Sequence, residues 1–206
     1  MVNTVTYRDA LPEDVESMST MVPRSYDDSA FLPQVIPDTP ATRQWWIDTY
    51  RHALSDPAAR LLIAVDNSTK ASVGILTLHY LGPDSSFGTH GGITSAIPLT
   101  PDHSLLLAEG LTELKTERKE LMGEDPHYLI ELVGVDRRFQ GQGIGKTLTA
   151  MACEIADRRD AAIYLQTSAA KEYYVEKLGM GFVAQANGDD RSGTIIRAQK
   201  SARRST

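Results

Sequence analysis

The chain has 206 residues, with 41% apolar and 23% charged, the balance of a globular protein long enough for one domain with a full core. A formal net charge of -6 argues against general affinity for nucleic-acid phosphates, and the single cysteine, Cys153, excludes an internal disulfide and a multi-thiolate metal site. No apolar run approaches the roughly 20 residues of a membrane span and the N-terminus carries no signal pattern, so a reducing cytoplasmic location without membrane contact is expected.

The elements follow in chain order. "NTVTYRDA" alternates as a first strand, and "LPEDVESMSTMV" reads as a helix with early acids. "TPATRQWWIDTYRHAL" is a second helix with Pro40 in its first turn, and "RLLIAVDNSTKASVGILTLHYL" is a hairpin. The stretch from Gly82 to Pro98 reads as loop. Pro101 then opens a helix whose apolar stripe is Leu107, Leu111, Leu114 and Leu121. "HYLIELVGV" is a strand that reads as buried on both faces. A glycine loop comes next, and Ile144, Leu148, Met151 and Ile155 keep helical spacing after it, with Cys153 as a small buried hydrophobe. "AAIYLQTS" is another strand, "AAKEYYVEKLG" a short helix, and "GFVAQANGDDRSGTIIRAQ" a closing hairpin. The basic end, "RAQKSARRST", reads as a frayed tail from about residue 198. The fold class is α/β: a mixed, mostly antiparallel sheet flanked by helices in one domain over 1–206, with an insertion at about 82–126.

The glycine loop in "VGVDRRFQGQGIGKTLTA" joins a strand to a helix, the arrangement that offers backbone N–H groups and a helix dipole to an anion. A P-loop needs glycine where Gln140 stands, and a dinucleotide fingerprint needs glycine where Lys146 stands. The pattern that fits is Gln/Arg-x-x-Gly-x-Gly/Ala, through Gln140, Gly143 and Gly145. In this loop, in "IYLQTS" followed by "VEKLGMGFV", and in the opening "YRDALPEDVESM", the chain resembles the GNAT superfamily of N-acetyltransferases. The resemblance is close over residues 128 to 185 and extends to element order over 5 to 80. It implies the acyl-CoA N-acyltransferase fold, acetyl-CoA as cofactor, and transfer of its acetyl group to a primary amine by direct attack on the thioester. Loop glycines let the backbone approach a pyrophosphate, and N–H groups there form an anion nest.

By resemblance the cofactor-binding residues are Val133, Gly134 and Val135 on a strand that splays from its neighbour. Gln140, Gly141, Gln142, Gly143, Ile144, Gly145, Lys146 and Thr147 follow in the loop and helix start, with Ser168 after the later strand. Gly134 favours close approach or marks a bulge. Glu131 is the expected base: burial in its strand would raise its pKa, and alternation puts it on the face of Val133 and Val135. His127 is a weaker candidate. The family's acid, a tyrosine four residues before the glycine of Lys-Leu-Gly, is replaced here by Val175, which leaves the neighbouring Tyr174 as the catalytic candidate beside Tyr173. The acceptor pocket is expected from "PRSYDDSAFLPQV", "RQWWIDTY" and the 82–126 insertion, with Tyr26, Asp28 and Trp45 receiving a cationic amine.

The expected partner is a small-molecule or peptide amine, with no metal, nucleic acid or membrane; a homodimer stays open. Two other readings compete: a non-catalytic acyl-CoA-binding sensor or interaction module, favoured by Val175, and a nucleotide-binding phosphotransferase, favoured by Gly145-Lys146-Thr147.

Overall fold

The computed structural model of the protein describes residues 5–26, 36–82, 101–167, 172–184 and 193–203, the side chains of 101–111 excepted. Seven strands form one sheet in the order β1-β2-β3-β4-β5-β7-β6: β1 Val5–Asp9, β2 Ala59–Asp66, β3 Ser72–Leu81, β4 His127–Val135, β5 Ala162–Thr167, β6 Phe182–Ala184 and β7 Gly193–Arg197. Only β4 and β5 pair in parallel, because a helix carries the chain between them, and every other pair is antiparallel.

Both faces of the sheet are covered. Helices α1 (Val15–Ser25) and α2 (Pro40–Ser55) lie on one, where Met18, Met21, Val22, Trp46 and Tyr50 pack on Leu61, Ile63 and Ile75. Thr39 caps α2 with a reciprocal hydrogen-bond pair to Thr42, and Pro40 takes the first turn as its missing N–H allows. On the other face α4 (Ile144–Arg158) sets Leu148, Ala152 and Ala156 against Leu62, Leu76, Leu78, Ile163 and Leu165. Gly74 of β3 admits α4 at its closest: a Cβ there would stand 2.6 Å from Ile144 Cγ2. Cys153 is buried in this layer as expected, and burial pushes its thiol up to about 11.

Helix α3 (Pro101–Met122) occupies the second half of the insertion, while the loop from 83 to 98 lies outside the described residues. Its expected apolar stripe is not a buried one: Leu114 and Leu121 are 40% and 38% exposed, and the side chains of Leu107 and Leu111 are not described. Two further expectations change. The segment before Gly179 is a π-helical turn over Tyr173–Lys177, closed by Leu178 N–H donating to the Tyr173 carbonyl at 3.0 Å. The basic end is tied down as far as α5 (Lys200–Arg203): Arg197, in β7, is buried and donates to Asp157 at 2.8 and 3.0 Å, and Arg203 reaches the same carboxylate. Asp157 thereby neutralises a guanidinium that water cannot reach.

Candidate active site

The glycine loop forms the start of α4. Gly141 and Gly143 hold φ of +75° and +82°, the left-handed region that side chains with a Cβ avoid, and Gly143 is the N-cap. A Cβ on either would meet nothing within 4 Å, so open space lies over the loop. The N–H groups of residues 144–146 stand in the first helical turn, where no acceptor within the helix is available. Lys146 is exposed beside them. Thr147 N–H and its hydroxyl both turn back to the Gly143 carbonyl, at 3.0 and 3.2 Å. Gln140 and Gln142 are also engaged: their amides donate to the Val135 carbonyl at 3.0 Å and the Arg138 carbonyl at 3.3 Å. Ile144 is buried against β3, so it offers the loop only its backbone. The loop is therefore a preformed, braced cradle with open space above its glycines.

Asp136 anchors this cradle. Its buried carboxylate accepts from Arg138 N–H, Nε and Nη2 at 3.1, 3.1 and 3.0 Å and from Arg24 Nε of α1 at 3.2 Å. The Arg138 hydrogen bonds hold the carboxyl well below the usual range against the opposing effect of burial.

Beside the cradle, β4 leaves β5. Their pairing runs from His127↔Ala162 to Ile130↔Leu165 and stops, while β4 continues to Val135. Without a neighbour on that side, Glu131, Leu132, Val133 and Val135 are only half-buried, where a strand buried on both faces was expected. The register between β3 and β4 also slips here: Thr77 pairs with Leu132 but Leu78 with Ile130, which leaves Glu131 as the extra residue of a bulge. The bulge moves the expected positions. Val133 and Val135 pack on the α4 side with Ile130, whereas Glu131 turns to the opposite side and bonds His79 Nε2 through Oε2 at 3.1 Å. A carboxylate only accepts, so His79 carries its proton on Nε2. His79 is 1% exposed and Glu131 21%. Gly134 is not the bulge; it clears room for α1, since a Cβ there would lie 3.2 Å from Ser25 Oγ.

Other polar groups converge on the same cleft. The Tyr26 hydroxyl donates to the Val133 carbonyl at 2.5 Å. Burial pushes Tyr50 well above the ordinary phenol range, and Tyr26 and Glu131 both oppose its ionisation, which puts the three in one electrostatic neighbourhood. Burial likewise raises Tyr174, with Tyr26 adding to the effect. Tyr174 is 6% exposed, edge-on to Tyr173 and Phe182. Tyr173 is turned to the loop, its hydroxyl 3.4 Å from where a Cβ on Gly145 would be.

A pocket of about 110 Å³ opens where the two strands part. Leu129, Ile130 and Glu131 of β4, Tyr164 and Gln166 of β5, and Leu114, Lys115 and Arg118 of α3 line it. Glu117 docks α3 onto the sheet by accepting from Gln166 Nε2 and Thr194 Oγ1, both at 2.5 Å. His127 sits nearby with Nδ1 2.7 Å from the Asp125 carbonyl, held neutral-leaning by burial.

Of the expected site residues Glu131 lines the pocket, Tyr26 bonds β4 at Val133 and lies in the electrostatic neighbourhood of Tyr174, and residues 133–147 run from the end of β4 into α4. Trp45 is elsewhere, 4% exposed in the α1–α2 core and edge-on to Trp46. Asp28 and Ser168 lie outside the described residues. His79, Asp136 and Arg118 enter the site without having been singled out; only the contiguous "VDRRFQGQG" signals one of them, Asp136, by its place at the strand end. Among the described residues no three or more His, Cys, Asp or Glu groups are placed to hold a metal, and no helix is long and apolar enough to cross a membrane.

Comparison with known proteins gives this geometry a family. Residues 25–180 match the model of the Acetyltransferase (GNAT) family. No curated protein sequence matches the chain. Among solved structures, a mosquito arylalkylamine N-acetyltransferase-like 5b is similar at 13% identity with a TM-score of 0.64, over 94% of this chain and 99% of that one. The arylalkylamine N-acetyltransferase 2 of Aedes aegypti gives 14% and 0.63 over 95% and 99%. The paia N-acetyltransferase of Thermoplasma acidophilum, solved in complex with coenzyme A, gives 12% and 0.53 over 95% and 99%. At such identities the likeness is one of fold.

Proposed function

The chain belongs to the Acetyltransferase (GNAT) family, and from that membership we propose that it is an N-acetyltransferase that moves the acetyl group of acetyl-CoA to a primary amine. Acetyl-CoA supplies the acyl group as a thioester. The observation that carries the reading is a strand, β4, that parts from β5 at a carboxylate-lined pocket and runs directly into the glycine turn. Positive-φ glycines with open space above them, the free N–H groups of the α4 first turn and exposed Lys146 suit a pyrophosphate. Beyond Ile130 that edge of β4 pairs with no strand among the described residues, and backbone groups there other than the Val133 and Val135 carbonyls, which Tyr26 and Gln140 engage, would meet the rest of the cofactor.

The attacking amine must be neutral, and Glu131 takes its proton. His79 fixes that carboxylate through one oxygen, and the other, Oε1, is buried with no hydrogen-bond partner among the described residues. Tyr174 is the acid: its phenol, whose pKa burial raises further, holds its proton at neutral pH until the leaving thiolate takes it. A π turn takes up one more residue than an α turn. The turn over Tyr173–Lys177 therefore supports Tyr174, not Val175, as the counterpart of a tyrosine one α-helical turn before Gly179. Tyr26 steadies the cleft wall through the Val133 carbonyl.

Thermal stability with acetyl-CoA, with CoA, and with ATP plus magnesium tests the cofactor. A ligand at about 100 times its dissociation constant should add about 2.7 kcal/mol. Stabilisation by the CoA species, followed by thiol release with an amine panel, is the expected result. No shift with either CoA species overturns the reading. A shift without turnover on any amine identifies a binding module instead.

A further inference from the structure

Helix α3 places a cation in the same pocket as Glu131. Arg118, on α3, lines the pocket half-buried and makes no ion pair among the described residues. Neither of the carboxylates near it, Glu117 and Glu131, forms an ion pair with it among the described residues. Burial pushes Tyr164 up to about 12, so its phenol is neutral, and burial together with Arg118 itself lowers His127. Glu117, next in sequence, directs both carboxylate oxygens to Gln166 and Thr194 and not to Arg118. Lys115 adds a second positive charge one turn earlier on the same helix face, again with no ion pair among the described residues. Opposite them stands Glu131, the other charged group of the lining.

A half-buried guanidinium without a counter-ion is costly unless a ligand provides one. The lining thus carries both signs of charge: a carboxylate on β4, and a guanidinium and an ammonium on α3, together with Leu114 and Leu129. Its volume of about 110 Å³ is on the scale of a small molecule.

Resting on the acetyltransferase reading, we propose that the acceptor is a small primary amine that also carries an anionic group on a short linker. Its amino group lies at Glu131 and its anionic group on Arg118, with Lys115 in support. The guanidinium presents paired N–H donors to a planar carboxylate and equally binds a phosphonate or phosphate. The amide counterpart of such a compound would leave Arg118 uncompensated. Selectivity is then written by α3, an element outside the cofactor machinery.

The test uses the full chain and matched probes: glycine, β-alanine and 4-aminobutyrate, each against its amide, with 3-aminopropylphosphonate beside them. Stabilisation by each probe in the presence of CoA is measured first, and acetylation by acetyl-CoA second. The wild type should prefer acid over amide about tenfold or more in binding and in kcat/KM for at least one pair. Arg118→Gln should collapse that ratio by about tenfold, Arg118→Lys less, and Lys115→Gln less still. A stronger response to the phosphonate than to every carboxylate names phosphate as the anion. Equal acid and amide responses throughout, or an unchanged ratio in Arg118→Gln, overturn the proposal. Because binding is read without turnover, loss of the acid preference and loss of the acetyl-CoA response are separate outcomes, and the second alone counts against the acetyltransferase reading.

Discussion

On the α4 side of the sheet the groups that would bind a ligand are backbone groups: two positive-φ glycines and the first N–H groups of a helix, all within residues 141–146. On the side of α1, α2 and α3 they are side chains delivered by separate elements. Glu131 comes from β4, His79 from β3, Tyr50 from α2, and Arg118 from α3. The first site is local in sequence and is set once the strand-to-helix turn forms. The second is assembled by tertiary packing, with Glu131 and the histidine that holds it 52 positions apart in sequence. The difference predicts a division of labour. Changes on the α4 side alter cofactor affinity and changes on the opposite side alter acceptor chemistry, so mutations can show whether the two behave independently.

The largest effect is expected at Glu131. Glu131→Gln keeps the shape and the hydrogen-bonding reach toward His79 but removes the proton acceptor. A general base contributes roughly 10²- to 10⁴-fold, so kcat should fall by about 10²-fold or more. Stabilisation by acetyl-CoA should stay as in the wild type. If kcat is retained within about twofold across the pH profile, the acceptor face does not perform the proton transfer and the comparison breaks there.

Asp136 tests the joint between the two sides, because it ties the cradle through Arg138 to α1 through Arg24. Asp136→Asn should lower stability by about 2 kcal/mol at pH 7, the scale of a buried hydrogen-bonded charge. Both arginines are largely solvent-facing, so most of this comes from the anchored loop and not from the ion pairs. The carboxyl is held below its ordinary value in the folded state, so its contribution is complete above the unfolded pKa of about 4. It is lost as pH falls through the folded value. Urea unfolding should therefore show wild type and variant separated at pH 7 and converging below about pH 4. A gap that widens in acid would contradict this account.

What the sequence made legible follows the same division. Glycine spacing after an apolar strand, helical spacing from Ile144 and the polar turn at residues 67–71 are local signals, and the sheet, α4 and the cradle appear where they point. The acceptor side was legible only in part. Glu131 stands out as a carboxylate in an apolar strand, but strand alternation assigns it the wrong face, because the bulge that turns it depends on its register with β3. His79 reads as one more strand residue, and only its pairing with Glu131 gives it a role. Trp45 looks like a ligand platform in sequence and is core, since α2 buries that side against β2. The π turn at Tyr173–Lys177 is invisible to a helical count that assumes a constant period.

The smallest effect is expected at Lys146, and its size is what makes it informative. Lys146 is exposed at the first turn of α4, so its attraction for a phosphate acts through solvent and is screened. Lys146→Gln should raise the KM for acetyl-CoA about two- to threefold at low salt, and the difference should fade as ionic strength rises toward about 1 M. The acceptor KM and kcat should not follow it. In a cradle made chiefly of backbone N–H groups, one flanking charge adds little to affinity. A loss of tenfold or more, persisting in salt, would mean that this lysine and not the glycine backbone holds the anion. The contrast between a backbone site and a side-chain site would then fail on the α4 side.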